Sequence, residues 1–230
     1  MTNLMIPITL VHQYVKSFDM LRVNKTLTKV LITDDFISPY SYAYGLQQLV
    51  DALRLKKTVL ELALCGKTCD NNGARILAGY LNWNKTLSAL HLIRSDISDA
   101  GATALADVLW TNTTLKVLDL WKNPGIGNLG ALSLCEALKI NKTLTLLNLS
   151  ESRIGDASVH SLAEVLKTNT SLTSLSLSDI KISQHSVKSI AEVLSVNSTL
   201  EHLHFQGNKV GTDGARLITE SLKVNSTLTI

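Results

Sequence analysis

One motif returns at a nearly fixed interval and limits every other reading of this chain. The run Asn84-Lys-Thr-Leu-Ser-Ala-Leu-His-Leu92 recurs at Asn112 to Leu120, Asn141 to Leu149, Asn169 to Leu177 and Asn197 to Phe205. An earlier copy spans Asn24 to Ile32, and a degenerate one spans Lys56 to Leu64. The first apolar residues of the units are Leu27, Val59, Leu87, Leu115, Leu144, Leu172, Leu200 and Leu228, at steps of 32, 28, 28, 29, 28, 28 and 28 residues. A period of 28 places the chain among stacked repeat architectures rather than conventional domains.

Inside each unit the hydrophobic period changes. Leu90 and Leu92 alternate, which predicts a short strand with both leucines on one face. Gly101, Ala102, Leu105, Ala106 and Leu109 then fall on one stripe of a helix, and the small residues predict a close approach of that helix to the strand. Equivalent stripes are Leu134, Cys135 and Leu138, then Leu162, Ala163 and Leu166, then Ile190, Ala191 and Leu194. A lone strand–turn–helix unit leaves both flanks bare. Neighbours must cover them, so the strands are expected to pair in parallel with the helices as an outer layer.

The pattern L-x-x-L-x-L-x-x-x-x-I-x-x-x-G-A-x-x-L-A-x-x-L-x-x-N-x-T, as it stands in Leu87 to Thr114, resembles the ribonuclease-inhibitor class of leucine-rich repeats, found also in NOD-like receptor sensor domains. The resemblance covers roughly Asn24 to Ile230. It implies an α/β leucine-rich-repeat solenoid (horseshoe), with parallel strands on the concave face and helices on the convex face. In one respect the chain departs from the family. The column usually rich in Asn or Cys reads Asp35, Lys67, Ser95, Asn123, Ser152, Ile180 and Asn208, so the buried hydrogen-bond ladder is expected to break, above all at Ile180.

The domain reading is a partial N-terminal repeat with a cap helix over residues 1–23 (Val11 to Val23 forming the helix), then seven repeats and the start of an eighth over 24–230. The first full unit is long and holds Phe36, Tyr40, Tyr42 and Tyr44 around Pro39, either as a cover for the edge of the stack or as a projecting loop. Asn123-Pro124-Gly125 adds one residue beside Trp121. At the other end, Asn225 to Ile230 begins a strand. Either the native chain continues beyond it, or this edge pairs with another copy.

Composition excludes several classes. With 45% hydrophobic residues, 41 of them leucine, and a net charge of +3, the chain is not disordered. Its longest stretches without Lys, Arg, Asp or Glu, Met1 to Val15 and Phe36 to Val50, are 15 residues each and interrupted by polar groups, so no membrane partner is expected. The N-terminus lacks a signal-peptide pattern, and three irregularly spaced cysteines fit a reducing, cytoplasmic compartment. The excess positive charge reads as spread along the chain, which argues against nucleic acid.

Little catalytic chemistry is visible. Seven Asn-x-Ser/Thr sites share one repeat position just after the helix, where Asn is expected to adopt the left-handed backbone that ends it; the repeat, rather than glycosylation, explains them. Cys69 and Cys135 fall in apolar columns, and only Cys65 should face the concave side. His202 and His204 share a face but have only Ser174 and Ser176 beside them, so no metal site is expected. Cys65, His91 and Asp119 lie on three successive strands without visible tuning. The chain reads as a non-enzyme with no cofactor.

The alternation also lists what faces outward. The central column is Leu31, Ala63, His91, Asp119, Asn148, Ser176 and His204; the next is Thr33, Cys65, Ile93, Trp121, Ser150, Ser178 and Gln206; beyond it come Asp34, Gly66, Arg94, Lys122, Glu151, Asp179 and Gly207. The patch of His91, Ile93, Arg94, Asp119, Trp121, Lys122, Glu151 and Asp179 has the composition of an interface hot spot. In the competing reading, Trp121 folds over the rim onto Pro124. The function expected is a protein–protein interaction module, the recognition part of a larger cytosolic sensor, adaptor or effector; the alternative is a stand-alone inhibitor covering a partner enzyme's active site.

Overall fold

The protein is described from a computed structural model, for residues 2–7, 21–34, 42–66 and 69–229. Each unit folds as the periodicity requires. Eight strands form one parallel sheet in strict sequence order: β1 (Thr2–Pro7), β2 (Leu27–Asp34), β3 (Glu61–Gly66), β4 (Ala89–Ile93), β5 (Val117–Asp119), β6 (Leu146–Asn148), β7 (Ser174–Ser176) and β8 (His202–His204). Seven helices alternate with them among the described residues: α1 (Tyr42–Arg54), α2 (Asn71–Trp83), α3 (Asp99–Leu109), α4 (Asn128–Ile140), α5 (Asp156–Leu166), α6 (Gln184–Leu194) and α7 (Gly211–Leu222). Parallel strands stack about 4.8 Å apart and helices about 8–10 Å apart, so the stack bends toward its strands and the sheet lines the concave side.

The core is one continuous column. Leu62, Leu90, Leu118, Leu147 and Leu175 are paired strand to strand and fully buried, and Ile97, Ile126 and Ile154 seal each unit beneath them. The helix stripe is buried as expected, Leu105 and Leu109 included. The small residues serve a different contact from the one expected. A Cβ on Gly101 would lie 2.7 Å from Asn71 Oδ1 and 3.2 Å from the Ala74 Cβ, so the glycine admits the neighbouring repeat's helix rather than the strand. Cys69 and Cys135 are buried, and Cys65 is half-exposed on the concave side.

β1 is a strand that the sequence reading does not anticipate: it gives the unit before Asn24 a helix alone. Phe36 and Tyr40 lie outside the described residues, as does most of the Val11 to Val23 segment. Tyr44 stands exposed on α1.

Two side-chain ladders hold the repeats together. The first uses the Asn column of the Asn-x-Ser/Thr sites and corrects the expectation of a left-handed helix stop: Asn84 and Asn141 have extended backbone, with φ −75° and −63°. Asn141 Oδ1 accepts from the N–H groups of Thr143 and Leu144 at 2.9 and 2.8 Å, while Nδ2 donates to Leu109 O at 2.7 Å and Asn112 O at 3.2 Å in the preceding repeat. Asn112, Asn169, Asn197 and Asn225 repeat the arrangement. These amides, 2–7% exposed at 112, 141, 169 and 197, are committed to the backbone and present no free nitrogen to a glycosylating enzyme. In the degenerate unit, Lys56 takes the position. Its ammonium donates to Arg22 O and Asn24 O.

The second ladder caps helices from outside. Gly127 and Gly155 carry no side chain, yet α4 and α5 begin there. Asp99, the first residue of α3, accepts from Gly127 N and Gly130 N at 2.7 and 2.8 Å; Asn71 does the same for Ser98 N and Gly101 N, and Asn128 accepts from Gly155 N and the Ser158 hydroxyl. The starts of α3, α4 and α5 are therefore capped by the repeat before them, satisfying N–H groups that a helix leaves unpaired, whereas α2 is capped by its own Asp70.

The column that the resembled repeat class fills with Asn or Cys is interrupted among the described residues, as expected, at Ser152 and Ile180. Asn123 Oδ1 accepts from Ser95 N and Ile97 N, and its Nδ2 donates to Leu92 O and Leu120 O; Asn208 does likewise around Ile180 and Leu177. At Ser152 the buried hydroxyl has no partner, and Ile180 offers none.

Candidate protein-binding surface

The register brings the central column together without exception: Leu31, Ala63, His91, Asp119, Asn148, Ser176 and His204 are direct neighbours across seven strands. Polar side chains there form one connected chain. Lys29 Nζ lies 2.6 Å from Glu61 Oε1, which lies 3.4 Å from His91 Nε2; His91 Nδ1 lies 3.3 Å from Asp119 Oδ2. Asp119 Oδ1 accepts from Trp121 N at 3.0 Å, and the Trp121 indole N–H donates to Glu151 Oε1 at 3.0 Å. Lys122 closes the cluster, 3.5 Å from Glu151 Oε2 and 5.8 Å from the centre of the indole. The network runs from β2 to the repeat of β6. Lys29 and Glu61 are missing from the sequence-based patch because they occupy the first outward column, one alternation earlier than the columns considered.

Trp121 is 38% exposed, its N–H turned to the following repeat. Pro124 lines a separate groove of about 750 Å³ with Glu151, Arg153, Ile180 and Lys181. Ile93 is half-exposed beside the network, and Arg94 is exposed and makes no ion pair among the described residues.

The third column requires a correction. Arg94, Lys122, Glu151 and Asp179 are not outward strand positions: they have φ of 54°, 59°, 56° and 56°, and Gly66 and Gly207 match them at 84° and 72°. From β3 to β8 a left-handed residue ends the outward run and turns the chain toward its helix. For a side-chain-bearing residue this costs roughly 1–2 kcal/mol, and hydrogen bonds such as Arg94 N to Trp121 O and Lys122 N to Ser150 O hold the conformation. These side chains therefore ring the patch at its edge. Asp179 stands exposed there, its carboxylate over Gly207.

Cys65, His91 and Asp119 are neighbours, but the Cys65 thiol is pushed up, chiefly by burial and then by the Asp119 charge, with Lys29 opposing. This runs opposite to what a thiolate nucleophile needs. Both His91 nitrogens face carboxylates. Among the described residues no group of three or more His, Cys, Asp or Glu is placed to hold a metal. His202 Nδ1 instead meets the Thr229 hydroxyl at 3.0 Å. No helix among the described residues is long and apolar enough to cross a membrane.

A family model described as "Leucine Rich repeat" matches residues 84–106, 111–135, 141–163 and 196–218. No curated protein matches the chain. Among solved structures, the chain is similar to "Leiomodin-1 Actin-Binding Site 2 (ABS2)", at 23% identity and a TM-score of 0.55 over 67% of this chain and 88% of that one. It is also similar to the tropomodulin C-terminal domain of Caenorhabditis elegans, at 12% identity and a TM-score of 0.57 over 66% and 92%. A chain of the Rad7 and Elc1 complex in yeast matches at 17% identity and a TM-score of 0.53, over 95% of this chain and 58% of that one. At these identities the likeness is one of fold. With the four matched segments and the eight-stranded parallel sheet, it makes the chain a leucine-rich-repeat solenoid.

Proposed function

We propose that this chain is a protein-recognition module that binds a partner protein on its concave face around Trp121, within a larger cytosolic sensor, adaptor or effector of the ribonuclease-inhibitor-like class. One observation carries the reading: an exposed indole is held in place by Glu151 and Lys122 rather than left to rotate, with the half-exposed Ile93 and Arg94, which has no ion-pair partner among the described residues, one repeat away. A preorganised aromatic beside a free guanidinium is the composition of an interface anchor, because little side-chain entropy remains to be lost on binding. Lys122 is engaged by Glu151, so Arg94 is the group that receives a partner's carboxylate while Trp121 and Ile93 receive an apolar side chain. The leiomodin-1 structure is described as an actin-binding site and Rad7 is in complex with Elc1, which supports a protein as the ligand.

The test is affinity capture from eukaryotic cytosol with the wild-type chain and with a Trp121→Ala, Arg94→Glu variant matched for folding by circular dichroism. A captured protein is then purified and titrated against both. The expected result is a partner held by wild type and at least a hundredfold more weakly by the variant. Equal affinity for both chains removes the concave patch from the reading.

A further inference from the structure

The exposed apolar side chains gather on one edge of the solenoid, the row of turns that lead from each helix to the next strand. The Asn ladder stacks these turns, with Lys56 in the place of Asn in one of them, and leaves three exposed residues per turn: the two before the ladder residue and the one after it. Immediately before it stand Val23, Leu55, Trp83, Ile140, Val196 and Val224, between 54% and 85% exposed, with Trp110 one place earlier in its own turn. Seven of the eleven large hydrophobic residues exposed among the described residues thus lie on this single ridge.

Charge on the ridge is equally one-sided. Its 24 exposed positions hold nine of the 22 Lys and Arg residues and none of the 19 Asp and Glu. This corrects the impression of charge spread along the chain: the cations are dispersed in sequence and aligned in space. Arg54, Lys139 and Lys167 pair with Asp51, Glu136 and Glu164, each three residues back on its helix. Lys25, Lys57, Lys85, Lys142 and Lys223 make no ion pair among the described residues. Between the second and third turns, Arg54, Lys57, Trp83 and Lys85 line a groove of about 760 Å³ with Tyr80 and Thr86.

We infer that this ridge docks the solenoid on an anionic phospholipid bilayer, the apolar tips entering the interfacial layer and the lysines meeting lipid phosphates and carboxylates. Charge complementarity selects an anionic surface, and side chains projecting singly from stacked turns suit a fluid interface, which needs no shaped groove. Five of the seven apolar tips are aliphatic and offer no ring for stacking on bases, which disfavours nucleic acid. The expectation of no membrane partner rests on the lack of a span, and lying on a surface requires none. At strand-to-helix spacings of about 4.8–10 Å, eight turns make a ridge roughly 34–70 Å long.

The test uses the full chain, sedimented with vesicles of phosphatidylcholine alone or with 30% phosphatidylserine, and titrated against a duplex DNA of 20 base pairs. Binding is expected only to the phosphatidylserine vesicles. It should fall at least tenfold in Lys57→Glu with Lys85→Glu and in Trp83→Ser, and stay unchanged in Arg153→Glu with Lys181→Glu, an equal charge reversal on the opposite edge. Folding of each variant is checked by circular dichroism. Three outcomes overturn the inference: no binding to phosphatidylserine vesicles, equal loss from both charge reversals, or DNA binding as tight as vesicle binding and indifferent to Trp83. None depends on Trp121 or Arg94, so the concave-face reading stands or falls separately.

Discussion

Replacing Lys56 by the asparagine of the other turns should stabilise the protein. In the intact turns one amide serves three local donors: Asn141 Oδ1 accepts from Thr143 N, Leu144 N and the Thr143 hydroxyl at 2.9, 2.8 and 3.2 Å. Lys56 carries no acceptor. The Thr58 hydroxyl is consequently buried without a partner, and the N–H groups of Thr58 and Val59 lack the side-chain acceptor their counterparts have. Lys56 supplies only the other half of the ladder, the bonds to Arg22 O and Asn24 O, and is 8% exposed. Lys56→Asn adds three hydrogen bonds at about 1 kcal/mol net each and relieves a desolvated ammonium; against this stands the exchange of two charge-assisted bonds, roughly 1.5–3 kcal/mol each, for two neutral ones of about 1 kcal/mol each. The expected balance is a gain of about 1–2 kcal/mol, or about 2–8 °C in Tm for a chain of this size. Guanidinium unfolding followed by circular dichroism should show a higher midpoint at an unchanged slope. A lower midpoint would refute the reasoning, since it would mean that the ammonium contributes more than the whole acceptor set. Asn141→Lys, the reverse exchange in an intact turn, should lower the midpoint.

Asp99→Ala strips α4 of its external cap and should cost about 1–2 kcal/mol in the same unfolding assay, although Asp99 itself lies in α3; a loss confined to α3 in hydrogen exchange would contradict this. Gly207→Ala meets a φ of +72° and the Asp179 carboxylate; the carboxylate can swing away, so the expected loss of about 1–2 kcal/mol is the backbone term, and Asp179→Ala should not restore it. Asp156 is held below the usual carboxylate range, first by the Ser183 and then by the Ser186 hydroxyl. Its folded pKa is depressed, so its contribution is complete above the ordinary aspartate value of 3.8 and disappears as pH falls through the lower folded value. Stability measured from pH 6 to 2 should therefore fall more steeply in wild type than in Asp156→Asn.

What the sequence discloses depends on whether an interaction stays within one unit. Leu90, Leu92, Leu105 and Leu109 are legible because alternation and the helical stripe are local, and they fix which side of β4 and α3 is buried. The same alternation correctly turns His91 and Asp119 to the concave face. It fails at Arg94 and Lys122, where the strand has already ended and a left-handed residue redirects the side chain. The Asn column is visible as a column, but its amides act sideways, on carbonyls 31 or 32 residues back, so reading it along the chain yields a helix stop instead of a ladder. Gly127 and Gly155 look like poor helix starts for the same reason: their cap belongs to another repeat. The link from Glu61 to His91 depends on side-chain reach between columns. Net charge conceals the basic ridge, because nine cations spread over six of eight turns look dilute until the turns are stacked.

The external caps give the solenoid a direction in time. A helix such as α4 finds its N-terminal acceptor, Asp99, already synthesised, whereas the amide that closes its last turn at Leu138, Asn169, lies some 30 residues downstream. At about 5–20 residues per second that interval is roughly 1.5–6 s. During synthesis a repeat of this kind is anchored at its start and open at its end, so this part of the array lengthens from a completed front. An interruption leaves one unfinished helix terminus, however many repeats stand behind it.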